Sequence, residues 1–278
     1  MNTKAREVIL VTTKTKGRDM KKLALTSLLA VFMASGANAA NVIDGNPLYM
    51  PAAGHFYSVS DLSSHSKTTE DWNFDEEFGY GVTNQLAINV KTSFSEAESF
   101  DTYGWNDFSL AGAFRAVDNG NLKIDLIGSY GVDHVYPYKA PFLAEEATNY
   151  TWVAGVRGGI VDSQFTIAGH IEYVYENAES FNWGDDGLHK WVAGIDGQFV
   201  IDPSWNLVAG AEYTGITNDG AKNAGKWDVY FGVNYNIDAT KFIGAYLSNS
   251  IDHHGGDAGD EWQILDGFGF GAKFGIDF

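Results

Sequence analysis

The most regular pattern in this chain is an alternation of apolar and polar residues with a period of two. Residues 226–236 read Lys-Trp-Asp-Val-Tyr-Phe-Gly-Val-Asn-Tyr-Asn, which places large apolar residues on one face and small or polar residues on the other. The same split recurs in residues 86–94, 122–130 and 164–175, while both faces of residues 241–250 are mixed. Successive side chains of a strand point to opposite faces, so the pattern predicts β-strands.

The connections between the predicted strands alternate between short and long. Short connections with turn-forming residues lie at 83–85, 118–121, 162–163, 202–204 and 238–240. Long connections rich in Asp, Glu, Gly and Asn lie near 63–71, 96–104, 133–148, 177–187, 217–225 and 251–261. Tight periplasmic turns and long outer loops are typical of outer-membrane barrels. The predicted fold class is therefore all-β: one antiparallel up-and-down transmembrane barrel of about twelve strands, spanning roughly residues 53–278, with long acidic outer loops.

Tryptophan gives an independent indication of a membrane. Six of the eight tryptophans directly follow a long connection, whereas Trp205 lies beside a short turn. Indole rings prefer the boundary between membrane and water, so the six predict an outer aromatic girdle, and Trp205 belongs to an inner one. A soluble β-sandwich is the alternative fold, but it does not predict tryptophans at the same height on alternate strands. The predicted outer girdle comprises Trp72, Trp105, Trp152, Trp191, Trp227 and Trp262.

The N-terminal residues have the pattern of a secretory signal peptide. Met20 is followed by two lysines, then by the uncharged apolar run 23–33, then by small residues that end in Ala-Asn-Ala at Ala39. The apolar run is too short to cross a bilayer as a helix. We therefore predict that residues 1–39 are a Sec signal peptide cleaved after Ala39, that Met20 is a more natural start than Met1, and that residues 40–278 form a single barrel domain.

The C-terminal strand resembles the β-signal of outer-membrane proteins. Its apolar residues alternate up to the last position, with Phe274, Ile276 and Phe278 at the end. The resemblance implies recognition by the barrel assembly machinery as a partner, and an outer-membrane location.

A second resemblance runs through the first half of the chain. The stretch Phe-Gly-Tyr-Gly-Val-Thr-Asn-Gln-Leu at 78–86, followed by Gly-Trp-Asn-Asp-Phe-Ser-Leu at 104–110, resembles a run found in porin-like barrels of the MetA-pathway phenol-degradation type. It covers about a tenth of the chain. It implies uptake of small hydrophobic solutes.

Charge narrows the choice of partners. Without residues 1–39, the chain has 11 basic and 34 acidic side chains, a net charge of −23, which excludes nucleic acid as a natural partner. There is no cysteine, hence no disulfide framework. The acidic loops suit contact with outer-membrane lipid and lipopolysaccharide through bridging divalent cations. The Asp- and His-rich loop 251–261 is the densest candidate for a metal site, but its spacing matches no known motif, so no metal or cofactor is predicted.

Polar strand faces must point into the lumen if the apolar faces meet lipid, because lipid-facing charges are costly. This assignment places eight acids and seven bases inside, which predicts a pore of weak charge selectivity. The alternative is a narrow, filled lumen braced by ion pairs. The predicted lumen-lining residues include Lys91, Asp107, Arg115, Lys123, Asp125, Arg157, His170, Glu172, Asp196, Glu212 and Asp228. The same assignment adds Asp61, Glu77, Lys190, Lys241 and Lys273.

Three functions remain open on the sequence. The leading one is a porin-like channel for passive passage of small solutes, in which the long loop 133–148 folds into the mouth as a constriction. The second is a non-conducting structural or adhesive barrel that acts through its acidic outer loops. The third, an outer-membrane hydrolase, lacks support: the chain has no Gly-x-Ser-x-Gly or His-Glu-x-x-His motif. We therefore predict that the protein is not an enzyme.

Overall fold

The computed structural model describes residues 45–66, 68–97, 102–135, 147–177, 187–218, 224–254, 261–264 and 267–278. No helix in this part of the chain is long and apolar enough to cross a membrane. Thirteen strands account for most of these residues. In chain order they are β1 Phe56–His65, β2 Thr68–Gly81, β3 Leu86–Ala97, β4 Thr102–Asn119, β5 Leu122–Val135, β6 Ala147–Val161, β7 Phe165–Asn177, β8 Leu188–Asp202, β9 Trp205–Ile216, β10 Gly225–Asp238, β11 Lys241–His254, β12 Glu261–Ile264 and β13 Gly269–Asp277.

The strands form a closed antiparallel barrel of twelve positions. Each strand from β1 to β11 pairs with the next one along the chain. The last position is divided into β12 and β13, which both pair with β11. Closure comes from β13 against β1, where Tyr57 lies opposite Asp277. The predicted all-β, twelve-stranded, up-and-down barrel is therefore confirmed.

The period-two alternation of the sequence determines which side chains lie inside. In β7, buried and exposed positions alternate from Phe165 to Val174, with His170 and Glu172 buried and Ile167 and Ile171 exposed. Polar side chains occupy the inner face and large apolar side chains the outer one. Solvent-exposed apolar surface of this extent would drive aggregation in water, whereas it matches the hydrocarbon of a bilayer.

The connections differ in part from the prediction. β1 ends at His65 and β2 begins at Thr68, and only residues 98–101 separate β3 from β4. The first two outer connections are thus shorter than predicted, because their polar residues continue the strands beyond the apolar band. The predicted signal peptide and most of the constricting loop, residues 136–146, lie outside the described residues.

Candidate functional site

An N-terminal segment, residues 45–55, precedes the first strand, which begins at Phe56 rather than near residue 53. Residues 45–51 lie inside the barrel, and residues 52–55 are exposed at its short-turn rim. The first part of the segment is a turn, in which the Tyr49 amide donates to the Asn46 carbonyl over 3.0 Å and the Leu48 amide donates to the Asn46 side chain over 2.9 Å. Pro47 follows Asn46, and this pair of residues favours a turn. Leu48 is only 1% exposed. The segment is a feature that the sequence analysis missed.

The N-terminal segment reaches opposite sides of the barrel near the short-turn end. A Cβ atom on Gly45 would lie 2.5 Å from Val208 of β9 and 2.6 Å from Asn234 of β10. Three residues later, the Leu48 carbonyl accepts a hydrogen bond from Arg115 of β4. Because β4 and β10 are six positions apart in a ring of twelve, the chain crosses the lumen between these contacts.

Two arginines and one aspartate hold the N-terminal segment to the wall. The Arg115 side chain donates from Nε to Asp125 over 2.8 Å and from Nη2 to the Leu48 carbonyl over 2.6 Å. Arg157 donates from Nε to Asp125 over 2.9 Å and from Nη2 to the Tyr49 carbonyl over 3.4 Å. The three charged residues lie on β4, β5 and β6, directly opposite each other in register. Asp125 is completely buried, and its carboxylate is neutralised by both guanidinium groups.

A second charged group lies on the inner face of β7, β8 and β9. The His170 ring nitrogens lie 3.1 Å from Glu212 and 3.5 Å from Asp196. Tyr230 of β10 donates to Asp196 over 2.8 Å. Glu172 lies two residues from His170 on the same face and is 3% exposed. We refer to His170, Glu172, Asp196 and Glu212 as the His170 cluster, in which the imidazole contacts two of three carboxylates.

Further polar contacts line the rest of the inner face. Lys190 binds Glu176 at 2.8 Å, Lys226 binds Asp228 at 2.7 Å, and Asp228 also accepts a hydrogen bond from Ser250. On the other side of the barrel, Lys91 pairs with Asp75, Lys273 pairs with Asp61, and Tyr57 and Asn89 both donate to Glu77. Cross-strand pairs of this kind stabilise adjacent strands.

Most predicted interior residues lie on the inner face. Asp107 lies opposite Ser93 in register. Lys123 lies near the short-turn rim and pairs with Asp118 at 3.0 Å. Lys241 was placed inside wrongly: Phe242 points inward, and Lys241 is half exposed and pairs with Asp238 at the end of β10. Both faces of β11 carry a mixture of polar and apolar residues, so the sequence did not indicate which of the two faces points inward.

The charge balance on the inner face also differs from the prediction. Four interior acids were missed, Asp75, Glu176, Asp252 and Asp277, and one base, Lys226. Most of the resulting acidic excess lies on β7–β11, which we call the acidic wall. Its inner face carries Glu172, Glu176, Asp196, Glu212, Asp228 and Asp252 against Lys190, Lys226 and His170.

Inward-facing aromatic rings lie against the wall. A Cβ atom on Gly79 would overlap the Tyr57 ring, one on Gly210 would overlap the Tyr230 ring, and one on Gly271 would overlap the Tyr246 ring. Each glycine faces inward on a strand next to the tyrosine and leaves a space that the ring occupies. The rings therefore lie along the barrel wall instead of projecting across the lumen.

The outer surface carries the tryptophans at its outer edge. Trp152, Trp191 and Trp227 are 56%, 51% and 42% exposed and contact the outward-facing Tyr130, Tyr173 and Tyr213. Trp72 contacts Phe270, and Trp205 lies at the opposite edge with Tyr235. The side chains of Trp105 and Trp262 lie outside the described part. Phe274 and Phe278, with Ile276 between them, face outward on the strand that closes the barrel.

One charged side chain interrupts the apolar outer band. Glu76 faces outward on β2, midway between Trp72 and Tyr80 on the same face. It accepts hydrogen bonds of 2.6 Å from Ser58 and from Ser60 of β1. Among the side chains that the structure describes between the two aromatic levels, no other outward-facing one is charged.

A closed barrel with an apolar outer band, aromatic edges and a charged interior defines the class of this protein: it is a transmembrane β-barrel of the outer-membrane type. No protein-family model matches the sequence, and no curated protein matches it. The resemblance to the phenol-degradation type therefore stays a prediction.

Solved structures match the fold. The COG4313 outer membrane channel from Pseudomonas putida F1 aligns with a TM-score of 0.52 and 13% sequence identity, over 83% of this chain and 97% of that chain. The KdgM porin in complex with disordered oligogalacturonate aligns with a TM-score of 0.51 and 8% identity, over 80% and 99%. Neither name describes an enzyme. At these identities the similarity extends to the fold alone, which is that of porin-like barrels.

Proposed function

We propose that this protein is a porin-like channel of the outer membrane that passes small hydrophilic solutes by diffusion. The observation that carries the proposal is the position of the inner aromatic rings: Tyr57, Tyr230 and Tyr246 lie over glycines of the neighbouring strands. A barrel that serves only as a scaffold gains by filling its interior with large side chains, whereas this one keeps its large rings against the wall.

The inner wall is polar and charged above the N-terminal segment, as a path for hydrated solutes requires. The excess of carboxylates on the acidic wall favours cations over anions. The N-terminal segment crosses the lumen near the short-turn end and narrows the path there. We therefore expect small conductance steps with a weak preference for cations.

Single-channel recording tests the proposal. Residues 40–278 are refolded and added to a planar bilayer with a potassium chloride gradient. Discrete current steps, with a reversal potential on the cation-selective side, support the channel. A folded barrel that gives no steps, or steps selective for anions, contradicts it.

The second candidate is a non-conducting barrel that acts through its outer loops. The N-terminal segment favours this candidate, because Leu48 and Tyr49 are fixed to the wall by Arg115 and Arg157 inside the lumen. The conductance measurement decides between the two: silence of the full chain and of a chain without residues 45–50 would favour the structural barrel.

A further inference from the structure

The His170 cluster contains more carboxylates than it has cationic partners. His170 lies within ion-pair distance of both Asp196 and Glu212, so one imidazole serves two carboxylates. Tyr230 supplies Asp196 with one further donor. The nearest guanidinium, Arg157, lies opposite His170 in register and is bound to Asp125. In the third carboxylate, Glu172, the Oε1 atom receives no hydrogen bond.

Glu172 is the feature that points to a ligand. It is 97% buried on the inner face, and its Oε1 atom has no hydrogen-bond partner. Gly155 lies directly opposite it on β6, where a Cβ atom would lie 2.7 Å from Glu172 Cγ. A buried carboxylate oxygen without a donor is costly, and a positively charged donor relieves that cost most effectively.

We propose that the His170 cluster binds a small organic cation, with an ammonium group that donates to Glu172. The inference rests on the proposed channel and names its solute class. Organic ammonium fits better than a metal ion, because the described residues contain no group of His, Asp or Glu with the geometry to hold a metal. Tyr230, whose ring lies next to Gly210 and whose hydroxyl donates to Asp196, provides an aromatic ring for the methylene chain or the charge.

The acidic wall extends the site along the barrel. Asp228 lies directly opposite Glu212 in register, and Asp252 lies further toward the outer edge. A diamine can therefore place one ammonium at Glu172 and the other along the same wall. Putrescine is the probe of choice, since it carries two ammonium groups on a four-carbon chain.

The test measures binding and does not depend on current. Putrescine is titrated calorimetrically into the folded barrel, residues 40–278, in detergent at low salt. Succinate and 1,4-butanediol, of similar length but negative or neutral, are the ligand controls, and magnesium chloride tests for a metal site. We expect saturable heat with putrescine alone. Absence of that heat, or equal binding of magnesium, overturns the proposal.

Variants locate the site. Glu172→Gln removes the charge, and we expect at least about tenfold weaker binding of putrescine, the usual size for loss of a charged hydrogen bond. Glu77→Gln is the matched control: this glutamate is also buried on the inner face, and Tyr57 and Asn89 already donate to it. Its affinity for putrescine should equal that of the wild type.

A second variant keeps the proposal testable if Glu172→Gln does not fold. Glu212→Gln leaves Glu172 in place but removes the negative charge of one of the two carboxylates that pair with His170. The cluster is then less negative, so its affinity for putrescine should fall several-fold. Unchanged affinity in both variants overturns the cation site even if the barrel conducts. Conversely, if putrescine binds to a barrel that gives no current steps, the cation site is supported and the channel is refuted. The two proposals can therefore fail separately.

Discussion

The Arg115 guanidinium donates a hydrogen bond of 2.6 Å to the main-chain carbonyl of Leu48, and so joins a wall strand to the chain that crosses the lumen. The same guanidinium is held by Asp125, which also holds Arg157. A carbonyl acceptor does not depend on the identity of the side chain at position 48. The contact therefore fixes the path of the N-terminal segment rather than one residue in it.

The first prediction concerns this path. Deletion of residues 45–50 should increase single-channel conductance, because the segment crosses the lumen between β4 and β10. Recordings from the two proteins in the same bilayer and salt provide the measurement. Deletion of loop 133–148, the constriction expected from the sequence, is the comparison. If only the loop deletion increases the current, the N-terminal segment does not limit the flow.

The second prediction concerns Asp125. Asp125→Asn should destabilise the folded barrel by about 3–5 kcal/mol, since two buried guanidinium groups would then lack their shared counter-charge. Urea unfolding followed by tryptophan fluorescence measures the change. Asp118→Asn is the control, because its pair with Lys123 is exposed and should contribute less than about 1 kcal/mol. Equal effects of the two substitutions would contradict the prediction.

The strands and turns were predictable because a barrel wall imposes one simple rule on the sequence. Each strand meets lipid on one side and the lumen on the other, so Trp227, Val229 and Phe231 alternate with polar or small residues whatever their neighbours are. Short turns are marked locally by residues such as Asp202 and Pro203. These signals need no knowledge of distant contacts.

The N-terminal segment could not be predicted in this way. It has no periodic pattern, and its position depends on Arg115, Arg157 and Asn234, which lie far away in sequence. The ion pairs could not be predicted for a related reason. The sequence shows which residues are charged, but the register between strands determines which of them form pairs. Lys226 was missed at the first position of its predicted strand, and Glu176 was missed because it lies one position beyond the end of its predicted strand.

The third prediction concerns the glycine beneath Tyr230. Gly210→Ala should lower conductance and destabilise the barrel by about 1–3 kcal/mol, because the added methyl group overlaps the Tyr230 ring and pushes it toward the lumen. Gly197→Ala on β8 is the control, since a Cβ atom there would have no neighbour closer than 3.8 Å. Paired recordings and unfolding curves test both effects. Unchanged conductance in Gly210→Ala would show that the ring position does not define the path.

The fourth prediction concerns Glu76, the charged residue of the outer band. Its carboxylate lies midway between the aromatic levels, where lipid gives no donors, and Ser58 and Ser60 supply them from β1. Removing all three polar groups together, as Ser58→Ala, Ser60→Ala and Glu76→Leu, should stabilise the barrel in lipid bilayers by about 1–2 kcal/mol. Urea unfolding in bilayers measures this change.

The two serine substitutions alone provide the control for Glu76. They leave the carboxylate facing lipid without its donors, so they should destabilise the barrel by about 1–3 kcal/mol. A loss of stability in the double variant together with a gain in the triple variant would show that the two serines compensate for the Glu76 carboxylate, and that the carboxylate itself does not stabilise the barrel. If the triple variant is instead less stable than wild type, the hydrogen bonds of Glu76 with Ser58 and Ser60 contribute net stability, and the prediction is wrong.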